Sequence, residues 1–315
     1  MTRGTLIYIV QRLLLISFTA VAISSIVFIG EHALLPGDAF VSERPHNPRE
    51  LALLLHHFNL DLPLPQQYQL WVTGVLHGDL GESLVNRGVQ ITPLLLRELG
   101  TSLELGAAAL IFTVGVGLTL GLFAALKQNT WVDYVASSTA VVGYSMPSFV
   151  IATLLVLVTG KLFYIWTNGA FYYEIGWGKP TQILVPAIAL GFPYASIVAR
   201  LTRASMLEVI RQDYVRTAWA KGLRPRIVII RHALRNALIP VITILGPLAT
   251  GILTGVVVIE NIFGIPGLGK EFIDSILNRD YNIVIGVFTF YAALVGLVNL
   301  GVDLLYPVLD PRIRY

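Results

Sequence analysis

Six stretches of this chain are each long enough and apolar enough to cross a lipid bilayer, and nothing else in the sequence restricts the fold as much. They run over Tyr8–Gly30, Thr101–Leu126, Tyr134–Gly160, Ile183–Ala204, Ala237–Ile262 and Ile283–Tyr306. A hydrocarbon core of about 30 Å takes about 20 residues of α-helix. Backbone N–H and C=O groups find no water there, so each span must close its own hydrogen bonds as a helix. The period-two alternation of barrel strands is absent. Composition agrees: 55% of residues are hydrophobic and 13% charged, where soluble domains carry about 25% charged residues. The expected fold class is an all-α membrane protein with about six transmembrane helices. The first apolar run, Leu13–Ile29 extended back by Leu6–Val10, exceeds the core of a cleavable signal and has no Ala-x-Ala after it. It reads as a retained first span.

Orientation follows from the placement of Lys and Arg in the short connections. Arg3 and Arg12 precede the first span, and Lys127 follows the second. Nine Arg and Lys residues from Arg200 to Arg235 crowd the fourth-to-fifth connection, and Arg312 and Arg314 follow the last span. Six spans bring all of these to one side, the cytoplasmic one, with both termini. The chain is then expected to divide into an N-terminal helix (1–30), an extracytoplasmic helical loop region (31–100) and a core transmembrane domain (101–315). Amphipathic helices are predicted at Pro48–Asn59 and Gln66–Leu76. The net charge of +3 gives no support to a nucleic-acid partner.

The cytoplasmic segment 205–236 carries the most information. Asp213 or Gln212 is suited to cap a helix, Ala218 and Ala220 favour one, and Gly222 suits a left-handed closure. The result is a short helix outside the bilayer, with small residues that let another protein approach. On physical grounds two readings stand: docking to a second protein, or a basic helix resting on anionic lipid.

Here a resemblance enters. Asp213-Tyr-Val-Arg-Thr-Ala-Trp-Ala-Lys-Gly222, followed by Arg231-His-Ala-Leu-Arg-Asn-Ala-Leu-Ile-Pro240, closely resembles the coupling loop of ABC importer permeases of the dipeptide/oligopeptide branch. Further matches run in order: Leu35-Pro-Gly-Asp38, Leu62-Pro-Leu-Pro-Gln-Gln-Tyr68, His77-Gly-Asp-Leu-Gly-Glu-Ser83, Thr101-Ser-Leu-Glu-Leu105, Ser145-Met-Pro-Ser-Phe149 and Phe263-Gly-Ile-Pro-Gly-Leu-Gly269. The resemblance implies that Asp213, Tyr214, Val215, Arg216, Thr217, Ala218, Lys221 and Gly222 form a coupling helix seated in a separate ATPase. The general permease pattern opens with Glu-Ala-Ala; here Arg216-Thr217-Ala218 stands in its place, so no Glu is expected to make that contact. The resemblance also implies the partners: a second homologous permease, two cytoplasmic ATP-binding subunits and an extracytoplasmic solute-binding protein. ATP with Mg would belong to the partner ATPases, with no cofactor in this chain. Di- and oligopeptides are the implied cargo, with glutathione, nickel complexes and oligosaccharides as alternatives on the same architecture. An ATP-independent secondary transporter or channel is the rival of a different class.

Other signals are weaker. Gly264–Lys270 nearly matches a phosphate-binding loop, but Glu271 replaces the hydroxyl residue that would bind Mg, and no strand precedes it. Five of the six His residues lie in the outer loop at spacings unlike a zinc set, so no metal site is expected. Cysteine is absent, and no catalytic residue is assigned. Ionisable residues in the spans are few, which argues against ion coupling. Glu104, Glu260 and Asp303, with the helix-bending Pro147, are the candidate pathway or gate residues. Pro186, Pro193, Pro240 and Pro247 are expected to kink their spans. Gly117-x-x-x-Gly121 and Gly251-x-x-x-Gly255 permit close helix contact.

Overall fold

The structure, a computed structural model, describes residues 3–34, 48–169 and 173–309. The motif Leu35–Asp38, His46 and the basic pair Arg312 and Arg314 lie outside the described residues. The fold is all-helical: α1 (Arg3–Leu34), α2 (Pro48–His57), α3 (Leu64–Leu76), α4 (Ile91–Leu126), α5 (Trp131–Ser145), α6 (Ser148–Val156), α7 (Phe163–Trp166), α8 (Pro180–Ile210), α9 (Asp213–Ala220), α10 (Pro225–Ile227), α11 (Arg235–Phe263), α12 (Leu268–Leu277) and α13 (Tyr281–Leu309). π-helical turns at Leu157–Leu162 and Val228–Leu234 join α6 to α7 and α10 to α11. Among the described residues, six stretches are long and apolar enough to cross a membrane: Gly4–Glu31, Ile91–Leu126, Ser148–Trp166, Pro180–Ile210, Pro225–Phe263 and Tyr281–Leu304.

One expected span is corrected. Tyr134–Gly160 is not a single helix. Met146 and Pro147 both turn to extended backbone, at ψ 128° and 144°, and part α5 from α6. Pro147 has no N–H to give and disfavours the helical conformation at the residue before it. The crossing stretch therefore starts at Ser148, and the 15 residues of α5 reach about 22 Å, short of the bilayer core. By contrast, Pro186 and Pro193 stay inside the continuous α8, and Pro240 and Pro247 inside α11.

Packing groups the residues into two compact units. The first takes in the described residues up to Thr101 together with Pro266–Gly301. Its core joins Leu80, Ile91, Leu95, Leu268, Ile283 and Val287. Asp280 pins this unit. It caps α13 by accepting from Ile283 N at 3.3 Å, and its carboxylate also accepts from Leu84 N at 3.1 Å and from the Ser83 hydroxyl. One short acidic side chain thus fixes a helix start and a loop nearly two hundred residues away.

The second unit comprises Ser102–Ile265 and the described residues from Val302 on. Its core gathers Leu105, Leu190, Ile252, Ile259, Phe263 and their neighbours around α8. Both glycine pairs face that helix. A Cβ on Gly121 would stand 2.4 Å from the Ala199 carbonyl oxygen, and one on Gly117 2.7 Å from Val198 Cβ. Gly251 abuts the Tyr194 ring, and Gly255 abuts Leu190. A backbone oxygen cannot swing aside as a side chain can. Gly121→Ala is therefore expected to lower stability by about 2 kcal/mol through overpacking. Gly115→Ala on the same helix meets open space and should be neutral or slightly stabilising. Thermal unfolding of the two variants in one detergent checks the contrast.

Candidate functional site

The segment between α8 and α11 builds a projecting element from local rules. Gln212 turns to extended backbone at ψ 148° and starts α9, with no side-chain capping hydrogen bond from either Gln212 or Asp213. This differs from the sequence expectation, because the first-turn N–H groups at so exposed an end are open to water. Asp213 instead lies 3.6 Å from Arg216 one turn on, and Thr217 Oγ1 donates to the Asp213 carbonyl at 2.9 Å. After Lys221 the chain closes at Gly222 with φ +72°, whose N–H donates to Trp219 O at 2.9 Å. That left-handed backbone is open to glycine at no steric cost.

The eight sequence-predicted residues divide between two faces. Val215 and Ala218 are buried, 1% and 4% exposed, and pack with Val228, Val209 and Leu223. Ala218 thus faces its own chain, not outward as a small docking surface. The outer face presents Asp213, Arg216, Thr217 and Lys221 with two aromatic residues, Tyr214 and Trp219, each more than two-fifths exposed. The Tyr214 hydroxyl accepts from Asn236 Nδ2 at 2.8 Å, which ties α9 to the start of α11. A short polar helix showing two large aromatic side chains, held by a small apolar keel, has the form of a protein-docking element.

Helix α8, which leads into α9, carries one member of a pair that sequence reasoning missed. In the same unit, Arg203 of α8 donates from Nε and Nη2 to the two oxygens of Asp133 in α5, at 2.6 and 2.7 Å. Asn129 N and Ser137 Oγ also donate to that carboxylate, at 3.0 and 3.2 Å. The Asp133 side chain is 4% exposed. The Arg203 guanidinium, helped by the Asn129 N–H, holds the Asp133 carboxyl well below the usual carboxylate range, at about 2. Nearby, the Arg200 guanidinium carbon stands 4.5 Å from the Tyr144 ring centroid, a second tie between α8 and α5. The same α8 runs on to Ile210 and hands over to α9. In the sequence Arg203 reads only as one of many inward-side charges, and Asp133 only as the edge of an apolar run. No spacing rule joins positions 70 residues apart.

The four candidate pathway residues occupy different environments. Glu260 is fully buried and accepts from Ser102 Oγ at 2.6 Å, inside the core of its unit and away from any open surface. Glu104, two residues along α4 from Ser102, is exposed; Pro147 is exposed at the α5–α6 break; Asp303 is half-buried on α13. The phosphate-loop look-alike is a turn in which Gly264, at φ +61°, ends α11 and Gly267 starts α12. Ile265 and Leu268 within it are fully buried, so it offers side-chain packing and not an open cradle. At the end of α2, His56 Nδ1 lies 2.9 Å from Asp61, and His57 Nε2 lies 3.5 Å from Glu82.

Comparison with known proteins gives this geometry a context. Residues 117–315 match the family described as binding-protein-dependent transport system inner membrane component. The chain is 42% identical over 310 residues to the dipeptide transport system permease protein DppB of Bacillus subtilis, covering 98% of this chain and 97% of that protein. It is 40% identical over 284 residues to the oligopeptide transport system permease protein OppB of Escherichia coli K12, covering 90% and 91%. Among solved structures, a chain of the inward-facing MetNI methionine ABC transporter aligns with TM-score 0.55 at 16% identity, over 70% of this chain and 98% of that one. A chain of an amino acid ABC transporter aligns at 0.52 and 19%, over 70% and 95%. At such identities these structures speak for the fold alone.

Proposed function

This chain belongs to the family of binding-protein-dependent transport system inner membrane components, and on that premise we propose that it is the permease subunit of an ATP-driven ABC importer, forming half of a translocation pathway for di- and oligopeptides. The observation that carries the reading is the near-full-length relation to dipeptide and oligopeptide permeases. The chain lies in the cytoplasmic membrane as a multi-pass protein with both termini inside, as its Lys and Arg distribution favours. It works with a second, homologous permease, two cytoplasmic ATPases that bind ATP and Mg, and an extracytoplasmic binding protein that delivers the solute.

In this mechanism α9 is the coupling helix. ATP closes the ATPase pair, and α9 moves with the ATPase surface against which Tyr214, Arg216 and Trp219 lie. The keel of Val215 and Ala218 keeps α9 rigid on its own chain. The Asp133–Arg203 clamp makes α5 follow α8, so motion received at α9 tilts the spans together. The cavity then exchanges inward for outward access, and the delivered peptide enters. Catalysis of ATP hydrolysis stays in the partner chains.

Reconstitution tests this. Liposomes holding this chain with its partner permease, both ATPases and the binding protein should take up a labelled di- or oligopeptide only with ATP inside. Liposomes holding the chain alone should show no flux under any ion gradient. Gradient-driven uptake by the chain alone would overturn the reading in favour of a secondary carrier.

A further inference from the structure

We propose that the groove between α1 and α13 binds one anionic phospholipid, with its phosphate against Arg12 and one acyl chain along the groove. The cavity there measures about 430 Å³ and is lined by Arg12, Ile16 and Ile23 of α1 and Phe288, Gly296 and Asn299 of α13. The helices meet where Ile16 seats on Gly296, at a point with no room for a Cβ, and the groove follows that contact in both directions. Three features choose a lipid as the occupant.

The first is length. Arg12 to Ile23 is eleven residues of helix, about 16 Å, or roughly half of the ~30 Å bilayer core. The groove therefore spans one leaflet. The second is polarity. Arg12 and Asn299 stand at one end, while Ile23 and Phe288 close the other. A molecule with a charged head and an apolar tail fits this gradient, and a uniformly apolar helix face does not. The third is the depth of the charge. Residues 13–30 contain no ionisable side chain, a run of about 27 Å, so Arg12 sits at the headgroup level of its leaflet. Arg12 Nε donates to the Tyr8 hydroxyl at 2.9 Å, and its guanidinium carbon lies 5.3 Å from the Tyr8 ring centroid, which fixes where the planar cation lies. Guanidinium matches phosphate geometry bidentately, and basic pockets between spans are a recurrent form of lipid-headgroup site.

The test uses the full chain in nanodiscs of equal phosphatidylglycerol and phosphatidylcholine, with retained lipid read by native mass spectrometry. Wild type is expected to retain one lipid, with phosphatidylglycerol favoured about fivefold. Arg12→Gln should erase the preference, and Arg12→Lys should keep most of it. Ala292→Trp, on the wall of the same groove, leaves the charge in place and should abolish retention of both lipids. It decides the matter independently if Arg12→Gln does not fold. Equal retention of the two lipids by wild type, or an unchanged preference in Arg12→Gln, overturns the proposal. So does loss of the lipid once the partner permease is assembled, since a protein surface would then be the occupant.

Discussion

Asp133→Ala is expected to destabilise the chain by about 3 kcal/mol, among the largest effects of any single substitution outside the apolar cores. Removing one member of a buried ion pair leaves the other desolvated without its counter-charge, which costs about 3–5 kcal/mol. The lower end applies here because the Arg203 side chain is 31% exposed and recovers some water. The Asn129 and Ser137 hydrogen bonds are lost as well. Arg203→Ala should be milder in stability, since the carboxylate left behind can take a proton, but it should impair uptake equally if the pair transmits motion. The double exchange Asp133→Arg with Arg203→Asp should recover part of both losses, and a double-mutant cycle isolates the coupling.

The pH dependence has a definite sign. The folded-state value of Asp133, about 2, lies below its ordinary 3.8. Its contribution is therefore complete above the ordinary value and is lost as pH falls toward about 2. The stability gap between wild type and Asp133→Asn should stay flat from about pH 8 to about pH 5 and narrow only in stronger acid. A gap that closed between about pH 7 and pH 5 would contradict the clamp.

The second large effect concerns α9. Arg216→Glu combined with Trp219→Ala is expected to cut ATP-driven peptide uptake at least tenfold while leaving the chain folded. Both side chains are exposed and contribute nothing to the Val215–Ala218–Val228 keel, so the fold has little to lose. An interface has much to lose, because a central aromatic or Arg anchor commonly carries about 2 kcal/mol or more. ATP hydrolysis by the assembled transporter should then no longer respond to the loaded binding protein. Val215→Asp gives the complementary failure: it inserts a charge into the keel, and loss of α9 order in hydrogen exchange should precede loss of uptake. If the Arg216/Trp219 variant imports at the wild-type rate, α9 is not the lever.

The sites differ in how legible they are in the sequence. Gly222 could be read as a helix stop because its left-handed backbone depends on that residue alone. The division of α9 into an inward Val215/Ala218 face and an outward aromatic face could not, since it depends on Val228 and Val209 lying beneath it. The Gly117/Gly121 and Gly251/Gly255 pairs could be seen as permissive, yet only packing puts both against α8. Glu260 was visible as an intramembrane carboxyl; its burial against Ser102, 158 residues away in the chain, was not.

Local chemistry alone decided that this chain makes apolar helices of bilayer length and that a short polar helix follows the fourth span. Each of these follows from side-chain solubility, backbone hydrogen bonding and the steric limits of neighbouring residues. That Pro147 parts α5 from α6, while four other prolines stay inside continuous helices, emerged only in the folded structure. Partnership between distant groups was decided by tertiary structure: Asp133 with Arg203, Asp280 with Ser83 and Leu84, and Arg12 at the mouth of a groove. Such pairings depend on which helix faces meet, and helices this uniformly apolar carry little pattern along the chain to say which.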